Sequence, residues 1–312
     1  MTRTRYAPDR GLTARMTLTM FLLGAVFVGF VVALVFILSA VHASSAAIVF
    51  FPVVLGLGLG IGSLYYSDKI ALRAAGAQVV TPQQAPELHG IIDRICALAD
   101  MPKPVVAISP VDMPNAFATG RNSKNAVLCV TQGLLRRLDR EELEGVLAHE
   151  MSHVAHKDVV VMTVASFLGI IAGLLVRFAF YSELFGGDRR GGNNNNGGAL
   201  PVMLIIMLVS IVVYAISFLL IRLLSRYREL AADRSGALLT GQPSKLASAL
   251  QKVSGDIAKI PSRDLRDAEA LNAFYFAPAI TSGASLATLF STHPSLERRL
   301  RELAKISEQL GR

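Results

Sequence analysis

The chain has 312 residues, 52% of them hydrophobic and only 17% charged, with a mean hydropathy of +0.48. Soluble domains carry about 25% charged residues, so the apolar excess excludes an ordinary soluble protein and belongs in a membrane. The net charge of +8 would suit a nucleic-acid binder, but no regular basic–aromatic interleaving accompanies it and no nucleic-acid partner is expected; membrane proteins gather Lys and Arg in cytoplasmic loops for a separate reason.

Residues 1–15 form a basic tail, with Arg3, Arg5, Arg10 and Arg15 set against Asp9. Residues 16–41 follow without a charge. That run exceeds the roughly 7–15 apolar residues of a signal peptide and meets the roughly 20 needed to cross a bilayer. A second apolar run, 46–66, carries Gly56, Gly58, Gly60 and Gly62, small residues that let helices pack closely in lipid. The two runs form a transmembrane hairpin. Its outer loop lacks Lys and Arg, whereas the basic tail precedes it and Lys69 and Arg73 follow, so both ends face the cytoplasm.

Residues 67–158 read as soluble. Pro86–Ala99 is an amphipathic helix with Leu88, Ile91, Ile92, Ile95 and Leu98 on one side. Val105–Ile108 predicts a short strand, and residues 115–120 and 126–130 predict a hairpin around the polar segment 121–125. Thr131 caps a helix that runs through Leu138. A second helix starts near Asp139-Arg140-Glu141-Glu142, acidic where the helix dipole favours it, and is expected to continue unbroken into a third apolar run, 159–180. Arg177 alone interrupts that run, near its far end. Residues 186–198, rich in Gly and Asn, form an external low-complexity loop. The fourth apolar run, 199–221, returns to Arg222, Arg226 and Arg228, and 223–312 is again soluble and cytoplasmic. Cys96 and Cys129 lack Cys-x-x-Cys spacing and suit reduced structural thiols.

The helix after Asp139 carries His149-Glu150-Met151-Ser152-His153. Residues four apart on a helix share a face, so two neutral imidazoles can share a tetrahedral zinc, with Glu150 able to reach a water on its open side. A catalytic zinc takes three protein ligands. A third His six residues beyond His153 would define one class, but Val159 stands there. His156 is poorly placed, because one helix does not readily wrap three imidazoles around one ion. Glu229 and Asp233, four apart, offer a third ligand and an acceptor for a ligand imidazole; equally, they read as a charged face balancing Arg226, Arg228 and Arg234. Membrane geometry favours the ligand reading. His153 lies six residues before Val159 and Glu229 seven after Arg222, so at 1.5 Å per residue both project about 9–10 Å from the bilayer edge on the same side.

With Asn115-Ala116-Phe117-Ala118-Thr119-Gly120, His149–His153, Ser225–Asp233 and His293-Pro294 followed by Glu297-Arg298, the sequence resembles the HtpX-type membrane zinc metallopeptidases, a family similar to the prenyl-protein (CAAX) zinc proteases. The resemblance covers nearly the whole chain, apart from the Gly/Asn-rich loop. It implies a mainly α polytopic protein with four transmembrane helices and a cytoplasmic zincin-like (gluzincin) α+β catalytic domain with a small β-sheet. It implies one Zn2+ per chain held by His149, His153 and Glu229, with Asp233 behind a ligand imidazole and Glu150 as general base. His293 matches a His-Pro position near the site and is expected to stabilise an oxyanion. Asn115, Ala116, Phe117 and Ala118 match an edge strand along which an extended substrate lies. The implied setting is the bacterial inner membrane, with both termini and the active site cytoplasmic. The implied partners are unfolded or damaged membrane proteins, with self-association open. The rival readings are a prenyl-protein processing protease and a non-catalytic membrane metal-binding scaffold.

Overall fold

The computed structural model describes residues 10–40, 54, 58, 61–62, 65–66, 68–185, 199–258 and 293–311. The chain divides into two units: Met1–Ala14, Leu64–Val160 and Ser225–Arg312 form the first, and Arg15–Ser63 and Val161–Leu224 the second. The helices are α1 (Arg10–Ala40), α2 (Pro86–Ala99), α3 (Gln132–Arg137), α4 (Arg140–Ala155), α5 (Asp158–Phe185), α6 (Ala199–Thr240), α7 (Pro243–Ala258) and α8 (Leu296–Gln309). The strands are β1 (Gln78–Val79), β2 (Val105–Ser109), β3 (Ala116–Thr119) and β4 (Val127–Thr131). The protein is mainly helical, with one small mixed sheet.

In the first unit the sheet runs in the order β1-β2-β4-β3, with β2 and β4 parallel and the outer pairs antiparallel. Alternation sorts its side chains between two cores. Val106, Ala116, Leu128 and Val130 face α2, α4, α7 and α8 through Ile91, Ile92, Leu147, Met151, Leu246, Leu250 and Leu303. Ala107, Phe117, Val127 and Cys129 face Ala71 of the helix at 68–74 and Ala75 in the turn that follows it. Strand β4 is therefore buried on both faces. The predicted hairpin is present as β3 and β4, but β1 and the parallel β2–β4 pairing are additions that no local pattern announces.

Helix boundaries follow their caps. The Thr131 side chain accepts from Leu134 N–H at the start of α3. Asp139 accepts from Glu142 N–H while the Glu142 side chain accepts from Asp139 N–H, a reciprocal capping box that starts α4. At its far end, α4 departs from expectation. It stops at Ala155, and Lys157 takes a left-handed φ of 56° before α5 begins at Asp158. The anticipated continuous helix is two helices joined by a tight break.

In the second unit, Phe30, Leu34, Ile171, Ala172, Leu175, Ile206 and Val213 form one cluster, and Leu23, Ala165 and Leu224 anchor another. Three helices among the described residues are long and apolar enough to cross a membrane: Arg10–Ile37, Asp158–Arg177 and Leu204–Thr240. They overlap the first, third and fourth predicted spans. The helix holding the fourth continues past residue 221 to Thr240 and so carries Glu229 and Asp233 as well. The predicted span 46–66 lies largely outside the described residues, as does the Gly/Asn-rich loop 186–198.

Candidate metal centre and active site

Helix α4 presents His149 and His153 from one face, with their Nε2 atoms 3.2 Å apart. Helix α6 brings Glu229 to them, with carboxylate oxygens 3.7 Å from His149 Nε2 and 3.5 Å from His153 Nε2. Donors held about 2.0–2.1 Å from a tetrahedral ion stand about 3.3–3.4 Å from one another, so the triangle has the size such an ion requires. These three residues form the metal-sized group of His and carboxylate side chains among the described residues.

The far sides of both imidazoles meet carboxylates. His149 Nδ1 lies 2.9 Å from Asp233 Oδ1, and His153 Nδ1 lies 2.7 Å from Asp158 Oδ2. A carboxylate only accepts, so each Nδ1 carries the proton and each Nε2 lone pair turns toward the other two ligands. Burial lowers the His149 pKa against the opposing pull of Asp233, keeping the ring neutral as ligation demands. The donor set therefore fits a metal ion.

The break at Lys157 makes the second contact possible. On an unbroken helix a residue five further on points about 140° away, so Asp158 could not return to His153. With the chain turned at Lys157, it does.

Each carboxylate is in turn held by a buried arginine. Arg299, 1% exposed on α8, grips Asp233 through Nε at 2.8 Å and Nη2 at 2.6 Å. Arg228 pairs with Asp158 and also donates to the His156 carbonyl at 3.3 Å. Neither arginine, nor Asp158, was expected at the site. Arg299 had a signal: it lies four residues before Leu303 and seven before Ile306, on the buried face of an amphipathic helix where an apolar residue belongs. His156 caps the end of α4, outside the ligand triangle.

Glycine sets the approach of the two ligand helices. A Cβ on Gly236 would stand 2.9 Å from the His149 backbone nitrogen and 3.1 Å from its Cα. Only a residue without a side chain lets α6 pass so close behind His149.

Glu150 is buried between the metal triangle and the sheet, and its Oε2 accepts from Ala118 N–H at 3.1 Å. Burial pushes its carboxyl up to about 7, and the nearby Glu229 carboxylate adds to the rise. Strand β3 is an edge strand. The Thr131 N–H to Asn115 carbonyl bond fixes the pairing phase, so Asn115, Phe117 and Thr119 direct backbone groups to β4 while Ala116 and Ala118 direct theirs outward. The Ala118 N–H is taken by Glu150, and Asn115 is buried with its own N–H on Thr131 Oγ1, so the outward edge is narrower than the sequence suggested. His293 Nδ1 lies 3.1 Å from Glu229 Oε2.

Apolar helices of membrane-spanning length and a helix-borne metal triangle with an adjacent carboxylate define a membrane metalloprotease. Sequence comparison gives the family. The pattern of Peptidase family M48 matches residues 82–307, and the chain belongs to that family. It is 60% identical over 310 residues to Protease HtpX homolog 1 of Streptomyces coelicolor, covering 99% of this chain and 97% of that protein. It is 49% identical to a Protease HtpX homolog of Moorella thermoacetica, covering 99% and 98%. Among solved structures, that of S. mikatae Ste24p matches with a TM-score of 0.51 at 18% identity, covering 95% of this chain and 66% of that one, a likeness of fold.

Proposed function

We propose that the chain is a zinc endopeptidase of the bacterial inner membrane, with its active site and both termini cytoplasmic. In this reading it hydrolyses misfolded or damaged membrane proteins. The observation that carries the catalytic part is the His149–His153–Glu229 triangle beside Glu150, whose carboxylate reaches a backbone N–H of an edge strand. The full reading has four spans, 16–41, 46–66, 159–180 and 199–221, with the gluzincin-like catalytic domain assembled from 67–158 and 223–312.

When bound, one zinc supplies Lewis acidity at the scissile carbonyl and makes water a stronger acid. Glu150 takes a proton from the attacking water and passes it to the leaving amine nitrogen; its raised pKa suits both steps near neutral pH. The outward groups of Ala116 and the Ala118 carbonyl pair with an extended substrate backbone, with Asn115 and Phe117 holding the strand in place. Such pairing reads little side-chain sequence, in keeping with a quality-control role. Asp233 orients His149, and His293, seated on Glu229, offers its other ring nitrogen to the developing oxyanion.

The Ste24p likeness keeps a prenyl-protein processing protease as a second reading; it predicts cleavage confined to lipidated C-terminal peptides. The test is Glu150→Gln in the purified full chain. Zinc content is expected to stay at one per chain while cleavage of an unfolded membrane-protein substrate is lost. Wild-type cleavage by zinc-loaded Glu150→Gln would overturn the mechanism, and full metal content in Glu229→Ala would reassign the third ligand.

A further inference from the structure

The β3–β4 hairpin tip stands at one end of the sheet, and Tyr65, just before the helix at 68–74, meets it there. Strand register shows this. Thr119 of β3, Val127 of β4 and Val105 of β2 are aligned at one end, and Ser109 and Thr131 mark the other. The helix at 68–74 crosses the sheet face. The turn after it is tied to the far end of β2, where Ala75 O accepts from Ser109 Oγ at 2.6 Å. The N-terminal end of the helix points back to the hairpin tip, where the Arg121 guanidinium lies 4.8 Å over the Tyr65 ring.

Exposed aromatic, apolar and basic residues gather at this end, with Asp100 and the Asp93–Lys103 pair on the approach to β2. Tyr65 is 56% exposed, Tyr66 57% and Ile70 59%. Lys69 lies over the Tyr66 ring. Arg121 and Lys124 are exposed on the tip, and the sequence from Met113 to Leu138 contains no acidic residue. Nor does the stretch from Lys69 to Pro86; Asp68 is the one acid near the tyrosines. Exposed tyrosines with lysine and arginine at the end of an apolar run form the composition of a membrane–water interface. Basic residues there meet the anionic headgroups of the cytoplasmic leaflet.

We propose that the 120–125 hairpin tip, with Tyr65, Tyr66 and Lys69, docks on the bilayer surface and binds anionic lipid headgroups through Arg121 and Lys124. This rests on the membrane reading above and adds a protein–lipid contact to it. Its consequence is positional. Docking the tip fixes strand β3 at headgroup height, so the edge facing Glu150 receives polypeptide as it leaves the bilayer.

The chain contains no Trp, so one introduced Trp reports its own depth. Ser123→Trp and, separately, Lys124→Trp are placed in the full chain and reconstituted into vesicles containing lipids brominated near the headgroup. Phe21→Trp, on an exposed face of α1, reports whether the chain spans the bilayer, and Lys305→Trp on α8 serves as the water-exposed control. Both hairpin probes are expected to be quenched, more by brominated phosphatidylglycerol than by the same fraction of brominated phosphatidylcholine. Arg121→Glu/Lys124→Glu in the Ser123→Trp background should abolish that preference, each basic residue contributing roughly fivefold to headgroup enrichment. An unquenched Phe21→Trp would sink the membrane reading. Quenched Phe21→Trp with both hairpin probes as silent as Lys305→Trp would overturn the docking alone, and equal quenching by the two lipids would overturn headgroup binding.

Discussion

Gly236→Ala tests whether helix spacing sets the metal triangle. The added Cβ would meet His149 N at 2.9 Å and Cα at 3.1 Å, against backbone that cannot swing aside. Nonbonded contacts to carbon settle at about 3.5–4.0 Å, so α6 must retreat from α4 by about 0.5–1 Å. Metal–ligand distances tolerate about 0.2 Å, and Glu229 rides on α6 two turns before Gly236. The retreat therefore exceeds what the site can absorb. Alanine would add up to about 1 kcal/mol of helix propensity, but overpacking costs about 1–3 kcal/mol and is expected to prevail. Gly255→Ala on α7 is the matched control, because nothing lies within 4 Å of its Cβ. Zinc affinity by chelator competition and thermal unfolding in detergent are measured for both variants. Gly236→Ala should lose at least about tenfold in affinity, the scale on which disturbed support of ligands is felt. Gly255→Ala should bind normally and melt no lower than wild type. Wild-type affinity in Gly236→Ala would refute the reasoning.

Other consequences follow from the buried ion pairs and thiols. Asp158→Asn should weaken zinc binding by about 10–100-fold, less than Glu229→Ala, because it disturbs His153 without removing a ligand; equal affinity for wild type and Asp158→Asn would remove Asp158 from the site. Arg299→Leu leaves the Asp233 carboxylate buried without its bidentate partner, at a cost of about 3–5 kcal/mol. The double variant Arg299→Leu/Asp233→Asn should melt higher than Arg299→Leu alone, and a lower melting point would contradict the pairing. Burial pushes Cys129 up to about 12 and Cys96 up to about 11, so below those values the folded protein holds neutral thiols. At pH 8 about one in a thousand Cys96 side chains is thiolate, and a chromogenic disulfide reagent should report both cysteines only after denaturation; prompt labelling of native protein would show otherwise.

What the sequence discloses follows from how far each interaction reaches along the chain. Pro86–Ala99, the Thr131 cap and the Asp139 start of α4 are encoded within a few residues, and the observed elements keep them. Strand β1 and the parallel β2–β4 pairing rest on contacts between distant segments and leave no periodic trace. The break at Lys157 carries neither Gly nor Pro, the residues that usually punctuate a helix, and an apolar run follows at once. A continuous helix was thus the natural reading of a segment whose discontinuity matters chemically. That His149, His153 and Glu229 come together was legible because each helix carries its own i,i+4 pair. Its support was not, because Arg299 meets Asp233 across 66 residues and Arg228 meets Asp158 across 70. The two relays are alike in form: imidazole, carboxylate, buried arginine. A carboxylate alone behind each histidine would be an uncompensated buried charge; its arginine holds it in place, sharing Asp233 Oδ1 with His149 Nδ1 and leaving Asp158 Oδ2 to His153 Nδ1. The cations that looked like a solvated face around Glu229 are therefore divided in function, with Arg228 turned inward to fix a ligand's partner.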